Sequence, residues 1–186
     1  MSSTAIEIPG YLAGTWTIDP VHSDVAFTAR HMMVSKVRGH FTRVEGEIVT
    51  GADPLASTVT ASIDLDSIDT NNAQRDSDLR AGAFFDVDNH PTWTFRSTAV
   101  RADGDDLFVD GELTIKGRTR PVTLELEVGG FGPDGFGGTR AGFSGSTTIS
   151  RSDFGVDISM PLDGGGVVVG DKVHVTLEIE GVLRKS

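Results

Sequence analysis

Residues 107–128 read LFVDGELTIKGRTRPVTLELEV, and the two-residue period of this stretch decides the fold. Leu107, Val109, Leu113 and Ile115 alternate with Phe108, Asp110, Glu112 and Thr114. After the turn Lys116-Gly117-Arg118, Val122, Leu124, Leu126 and Val128 alternate with Thr123, Glu125 and Glu127. An apolar side chain at every second position marks a strand with one face in a core and the other in solvent. The short glycine turn between the two runs makes them antiparallel neighbours.

The same period extends outward in both directions. Val59, Ala61, Ile63 and Leu65 alternate with Thr60, Ser62 and Asp64, and Val173, Val175, Leu177 and Ile179 alternate with His174, Thr176, Glu178 and Glu180. Val25, Phe27, Ala29, His31 and Met33 share one parity. Gly39 and Phe41 share a face, but Val44, Gly46 and Ile48 follow with shifted parity, which predicts a β-bulge or bend near Thr42 and Arg43. Residues 16–18, 93–100 and 139–149 bring the count to eight or nine strands, separated by turn-forming stretches at 51–54, 103–106, 129–138 and 164–166. Only residues 71–84 read as a helix, with Asn71 and Gln74 spaced as a capping-box variant. So many strands with so little helix predict a mainly β protein. Closing them into an up-and-down or lipocalin-like barrel removes the exposed strand edges.

No linker, repeat or change in composition divides the 186 residues, so residues 1–14 are read as an N-terminal extension and 15–186 as one domain. Cysteine is absent, which excludes disulfides, thiolate nucleophiles and cysteine-based zinc sites. The net charge of −11 repels nucleic acid and anionic membrane surfaces. Any lipid is therefore expected in a cavity and not on a charged face. The first 14 residues carry no lysine or arginine and include Glu7 and Pro9, so no secretory leader is recognised and a cytoplasmic location is expected. No run of about 18 apolar residues predicts a transmembrane helix.

Motifs that carry chemistry elsewhere fail on context here. Gly130, Gly132 and Gly135 match a dinucleotide-binding pattern, but Pro133-Asp134-Gly135 is a turn and no helix follows to meet a pyrophosphate. The five histidines, His22, His31, His40, His90 and His174, include no pair at helical i, i+4 or strand i, i+2 spacing, so no metal site is expected. His22, Ser23 and Asp24 have the residue types of a nucleophilic triad, but neighbours on a strand point to opposite faces. No catalytic residue and no cofactor is expected. An eight-stranded barrel is either filled by its own side chains or just wide enough for one small ligand, and the residues alone leave both readings open.

Three segments together resemble the YceI-like family of lipocalin-like polyisoprenoid-binding proteins. They are residues 16–23 (WTIDPVHS) with Phe27 and His31; residues 75–80 (RDSDLR) running into Phe84-Phe85-Asp86-Val87; and residues 111–117 (GELTIKG) with 151–155 (RSDFG). The resemblance implies an extended antiparallel barrel with a helix over one end, an interior pore for an isoprenoid or similar amphipathic chain, and often a homodimer. It does not imply catalysis. One departure is Asp78, where the family usually has histidine, with Ala81 where serine is common; an acid touching a head group disfavours a phosphate there.

On this reading the chain carries or stores an isoprenoid lipid in the barrel. The lining is assigned to Trp16, Phe27, His31, Met33, Phe41, Phe84, Phe85, Trp93, Phe95, Phe143 and Phe154, and contact with the head group to His22, Arg75 and Arg80. The competing readings are a packed structural or protein-interaction barrel without a ligand and, more remotely, a hydrolase or isomerase acting on an amphiphile.

Overall fold

A computed structural model describes residues 8–31, 35–80, 86–156 and 169–184. Its strands are β1 (Gly14–Ile18), β2 (Asp24–His31), β3 (Ser35–Phe41), β4 (Val44–Thr50), β5 (Thr58–Asp64), β6 (Ile68–Asp69), β7 (Thr92–Asp103), β8 (Asp106–Ile115), β9 (Arg118–Pro133), β10 (Thr139–Ser150) and β11 (Val169–Leu183). All pairings are antiparallel, and both β1 and β2 pair with β11, through Trp16 opposite Leu183 and Val25 opposite Leu177. β1 and β2 thus act as one interrupted strand, and β3 and β4 as another. The result is a closed eight-stranded antiparallel barrel, the lipocalin-like architecture that the alternation predicts.

The bend expected near Thr42 and Arg43 separates β3 from β4. Phe41 and Val44, an odd number of positions apart, are both buried, at 0% and 1% exposure. Two further bulges redirect side chains. The β7–β8 register slips between Ser97 and Ala99, so that Trp93, Phe95 and then Val100 all face inward. The β9–β10 register slips beside Gly142, and Val128 and Phe131 both face inward. Lys116 and Gly117 turn between β8 and β9 with φ of 54° and 77°, a left-handed pair that suits a two-residue hairpin.

The barrel has two unlike ends. The lower end holds the 116–117 turn, residues 42–43 and the 3₁₀ turns at Leu65–Ser67 and Arg151–Phe154. It is closed by packed side chains, with Phe41, Leu65, Phe154 and Ile115 at 2% exposure or less. Phe41 meets Trp93 edge-on at 4.9 Å. The upper end holds the 104–105 and 134–138 turns and the start of β1.

The helix begins later than the reading of residues 71–84 places it. α1 runs Ala73–Arg80, because Asn71 adopts φ 62° and cannot be helical; the first helical bond runs from the Asp76 amide to Asn72 O at 2.9 Å. Buried Asp76 ties the helix to β6 by accepting from the Thr70 amide at 2.8 Å. Residues 81–85 lie outside those described. Among the described residues no helix is long and apolar enough to cross a membrane.

Candidate functional site

Above the packed lower end the barrel holds an apolar channel of about 160 Å³. The channel is built by the inward parity of the strands. Val122, Leu124, Leu126 and Val128 of β9 face it and are half-buried. Val109 and Leu113 on neighbouring β8 also line it and are buried at 3% and 8% exposure. From Val122 to Val128 the strand rises about 20 Å, or roughly 15 Å along the axis of a barrel with tilted strands.

Among the described residues no charged side chain lines the channel. The lining hydroxyls at its upper end are already engaged. Thr50 Oγ1 accepts from Trp16 Nε1 at 2.8 Å and donates to Leu12 O at 2.7 Å. Ser57 Oγ accepts from the Gly51 amide at 3.1 Å, and Tyr11 Oη donates to Gly51 O at 2.6 Å. A wall of this kind offers a ligand dispersion and release of water but few hydrogen bonds. It fits hydrocarbon and penalises any buried polar group.

Of the aromatic residues assigned to the lining, Trp93, Phe95 and Phe143 face the channel. Trp16, Phe27, Phe41 and Phe154 sit in the packed core around it. His31 ends β2, its side chain outside those described, and Met33, Phe84 and Phe85 also lie outside. Of the residues assigned to a head group, His22 and Arg80 meet different partners. His22 stands on the outer surface, with Nδ1 2.7 Å from Asp19 Oδ2. Arg80 donates from Nη2 to Asp66 O at 3.2 Å, and the Arg75 side chain is not described. The aliphatic rows of β8 and β9 were visible in the alternation as inward positions. Tyr11 and Ile8, which also line the channel, carry no period that would have found them.

Outside the barrel, Asp19, His22 and Glu180 converge around Arg140, whose Nη1 lies 2.6 Å from Asp19 Oδ2 and 3.0 Å from Glu180 Oε2. The His22 ring, followed by the Arg140 guanidinium, holds the Asp19 carboxyl far below its usual range. Arg140 supplies the cation of this cluster, which therefore reads as an ion-pair clasp between the β1–β2 turn, β10 and β11. Ser23 Oγ accepts from the Glu180 amide at 3.0 Å and Asp24 meets His40 at 2.9 Å, while His22 meets Asp19 and Glu180, so the acid next to Ser23 pairs with a different histidine.

Residues 16–181 match the YceI-like domain. A UPF0312 protein of Pseudomonas aeruginosa (strain LESB58) is 37% identical over 164 residues, covering 88% of this chain and 83% of that protein. The crystal structure of Burkholderia cenocepacia BcnA superposes with a TM-score of 0.75 at 25% identity, covering 88% of this chain and 98% of the other. A polyisoprenoid binding domain from Saccharophagus degradans, implicated in plant cell wall breakdown, superposes with a TM-score of 0.70, covering 91% of this chain and 98% of the other. At 17% identity it shares the fold.

Proposed function

Because the chain belongs to the YceI-like family, we propose that its channel holds the hydrocarbon tail of an isoprenoid-type lipid and that the protein acts as a carrier or store without changing its ligand chemically. The observation that carries this reading is an apolar, uncharged channel, closed at its lower end by packed aromatic side chains and bordered above by hydroxyls already bonded to backbone. The polyisoprenoid binding domain of Saccharophagus degradans, which has the same fold, supports it. With about 0.8 kcal/mol per buried CH₂, three isoprene units contribute on the order of 10 kcal/mol gross. Association costs roughly 4 to 15 kcal/mol, so short tails bind marginally and longer ones well until the channel is full.

The polar head then remains at the upper mouth, in water. A net charge of −11 favours an uncharged head over a diphosphate. Native mass spectrometry of the protein mixed with all-trans prenols of three to ten isoprene units tests the reading. One prenol bound per chain, displaced by denaturation, is expected, with the matching prenyl diphosphate binding less. No adduct at any length would overturn it.

A further inference from the structure

The channel is completed from outside the matched family domain. That match begins at residue 16, yet Ile8 and Tyr11 line the channel alongside Pro54 and Ser57 at its upper end. This leading segment is locked down at several points. Tyr11 closes a tight turn by donating its amide to Ile8 O at 3.1 Å, and Gly10 makes the turn possible with φ 73°. The Tyr11 ring packs edge-on against Phe131 at 5.4 Å, and Phe131 in turn meets Trp16 and Phe143 at 5.5 and 6.0 Å. The Tyr11 hydroxyl reaches across to Gly51 O, and Thr50 holds Leu12 O. Two side chains from a segment before the barrel are thus fixed against the end of the channel opposite its packed floor.

We infer that Ile8 and Tyr11 form the upper end wall of the channel and determine the length of hydrocarbon it accepts. The inference rests on the lipid-binding reading of the channel. The packed lower end cannot yield, because Phe41 and Leu65 are fully buried there and core packing is close to crystalline density. The variable boundary is the upper one. The Ile8 and Tyr11 side chains occupy space at this end that ligand carbons would otherwise fill, so affinity should rise with tail length and level off once the space they leave is full.

The test measures dissociation constants of all-trans prenols from three to ten isoprene units for the unaltered protein and for its Tyr11→Ala, Ile8→Ala and Ile8→Trp variants, with folding checked by circular dichroism. Tyr11→Ala removes the ring and is expected to move the plateau at least one isoprene unit longer, with at least tenfold tighter binding of the first prenol past the original plateau. Ile8→Ala should move it in the same direction by less. Ile8→Trp should move it to a shorter length, which a role in stability alone would not do. Should Tyr11→Ala not fold, the opposed Ile8 variants decide the matter. Identical plateaus in all folded variants would overturn the end-wall inference and leave the channel reading standing. Absence of prenol binding by the unaltered protein would overturn the channel reading itself.

Discussion

Filling the channel from inside should weaken binding strongly without harming the fold. Val122 is half-buried on β9, faces the channel, and lies opposite Gly111 of β8; Phe95 occupies the space a Gly111 side chain would need. Val122→Phe adds four carbons to the interior, and at about 0.8 kcal/mol each the room they remove is worth about 3 kcal/mol to a ligand. Prenol affinity should therefore fall on the order of 100-fold. The same carbons gain burial in the unliganded protein, offset by roughly 1–3 kcal/mol of packing strain. The melting temperature should therefore stay within about 5 °C of the original. Calorimetric titration with a six-unit prenol, paired with thermal unfolding, reads both quantities. Unchanged affinity would show that the ligand does not use this channel. A fall in melting temperature well beyond 5 °C would show that the space next to Val122 is already filled.

Other consequences can be measured separately. The His22 ring and then Arg140 hold the Asp19 carboxyl far below its ordinary value of 3.8, and the Ser150 and Ser152 hydroxyls hold that of Asp171 at about 2. Both groups bind protons more readily when unfolded, so their contribution is complete above about pH 4 and is lost as pH falls from there toward 2. Urea midpoints across this range should decline less steeply in Asp171→Asn than in the unaltered protein. Gly46→Ala should cost about 1–3 kcal/mol in the same assay, because the new Cβ would overlap Thr60 O and lie 2.8 Å from Ala61 Cα. Thr50→Val should cost about 1–3 kcal/mol by leaving buried Trp16 Nε1 without its acceptor; equal stability would show that the bond contributes nothing.

The barrel was legible in the sequence because strand alternation survives wherever one face is buried, as in Leu107 to Ile115 and Val122 to Val128. The bend at Thr42 and Arg43 was legible for the same reason, since a parity shift between apolar rows is visible in one dimension. The bulges beside Ala99 and Gly142 were not read in advance. They bring Val100 and Phe131 inward against the parity of their strands.

Within the site, aromatic content did not separate wall from channel. Phe41 and Trp93 are both buried and in contact, yet only Trp93 reaches the cavity, a difference set by height along the barrel. The clasp of Asp19, His22, Arg140 and Glu180 joins residues up to 161 positions apart, and no spacing rule connects them. Tyr11 and Ile8 lie in a segment without periodicity, whose place follows from tertiary contacts alone.

The account depends on water leaving hydrocarbon inside the barrel, and the heat capacity change of binding reports this most directly. At about 25 cal/mol per Å² and 0.8 kcal/mol per CH₂ an isoprene unit buries roughly 160 Å², which corresponds to about −70 cal/mol/K. Titration calorimetry of prenols between 10 and 35 °C should show a heat capacity change that grows more negative by about this amount per unit until the channel is filled. A value near zero that does not change with tail length would contradict the account.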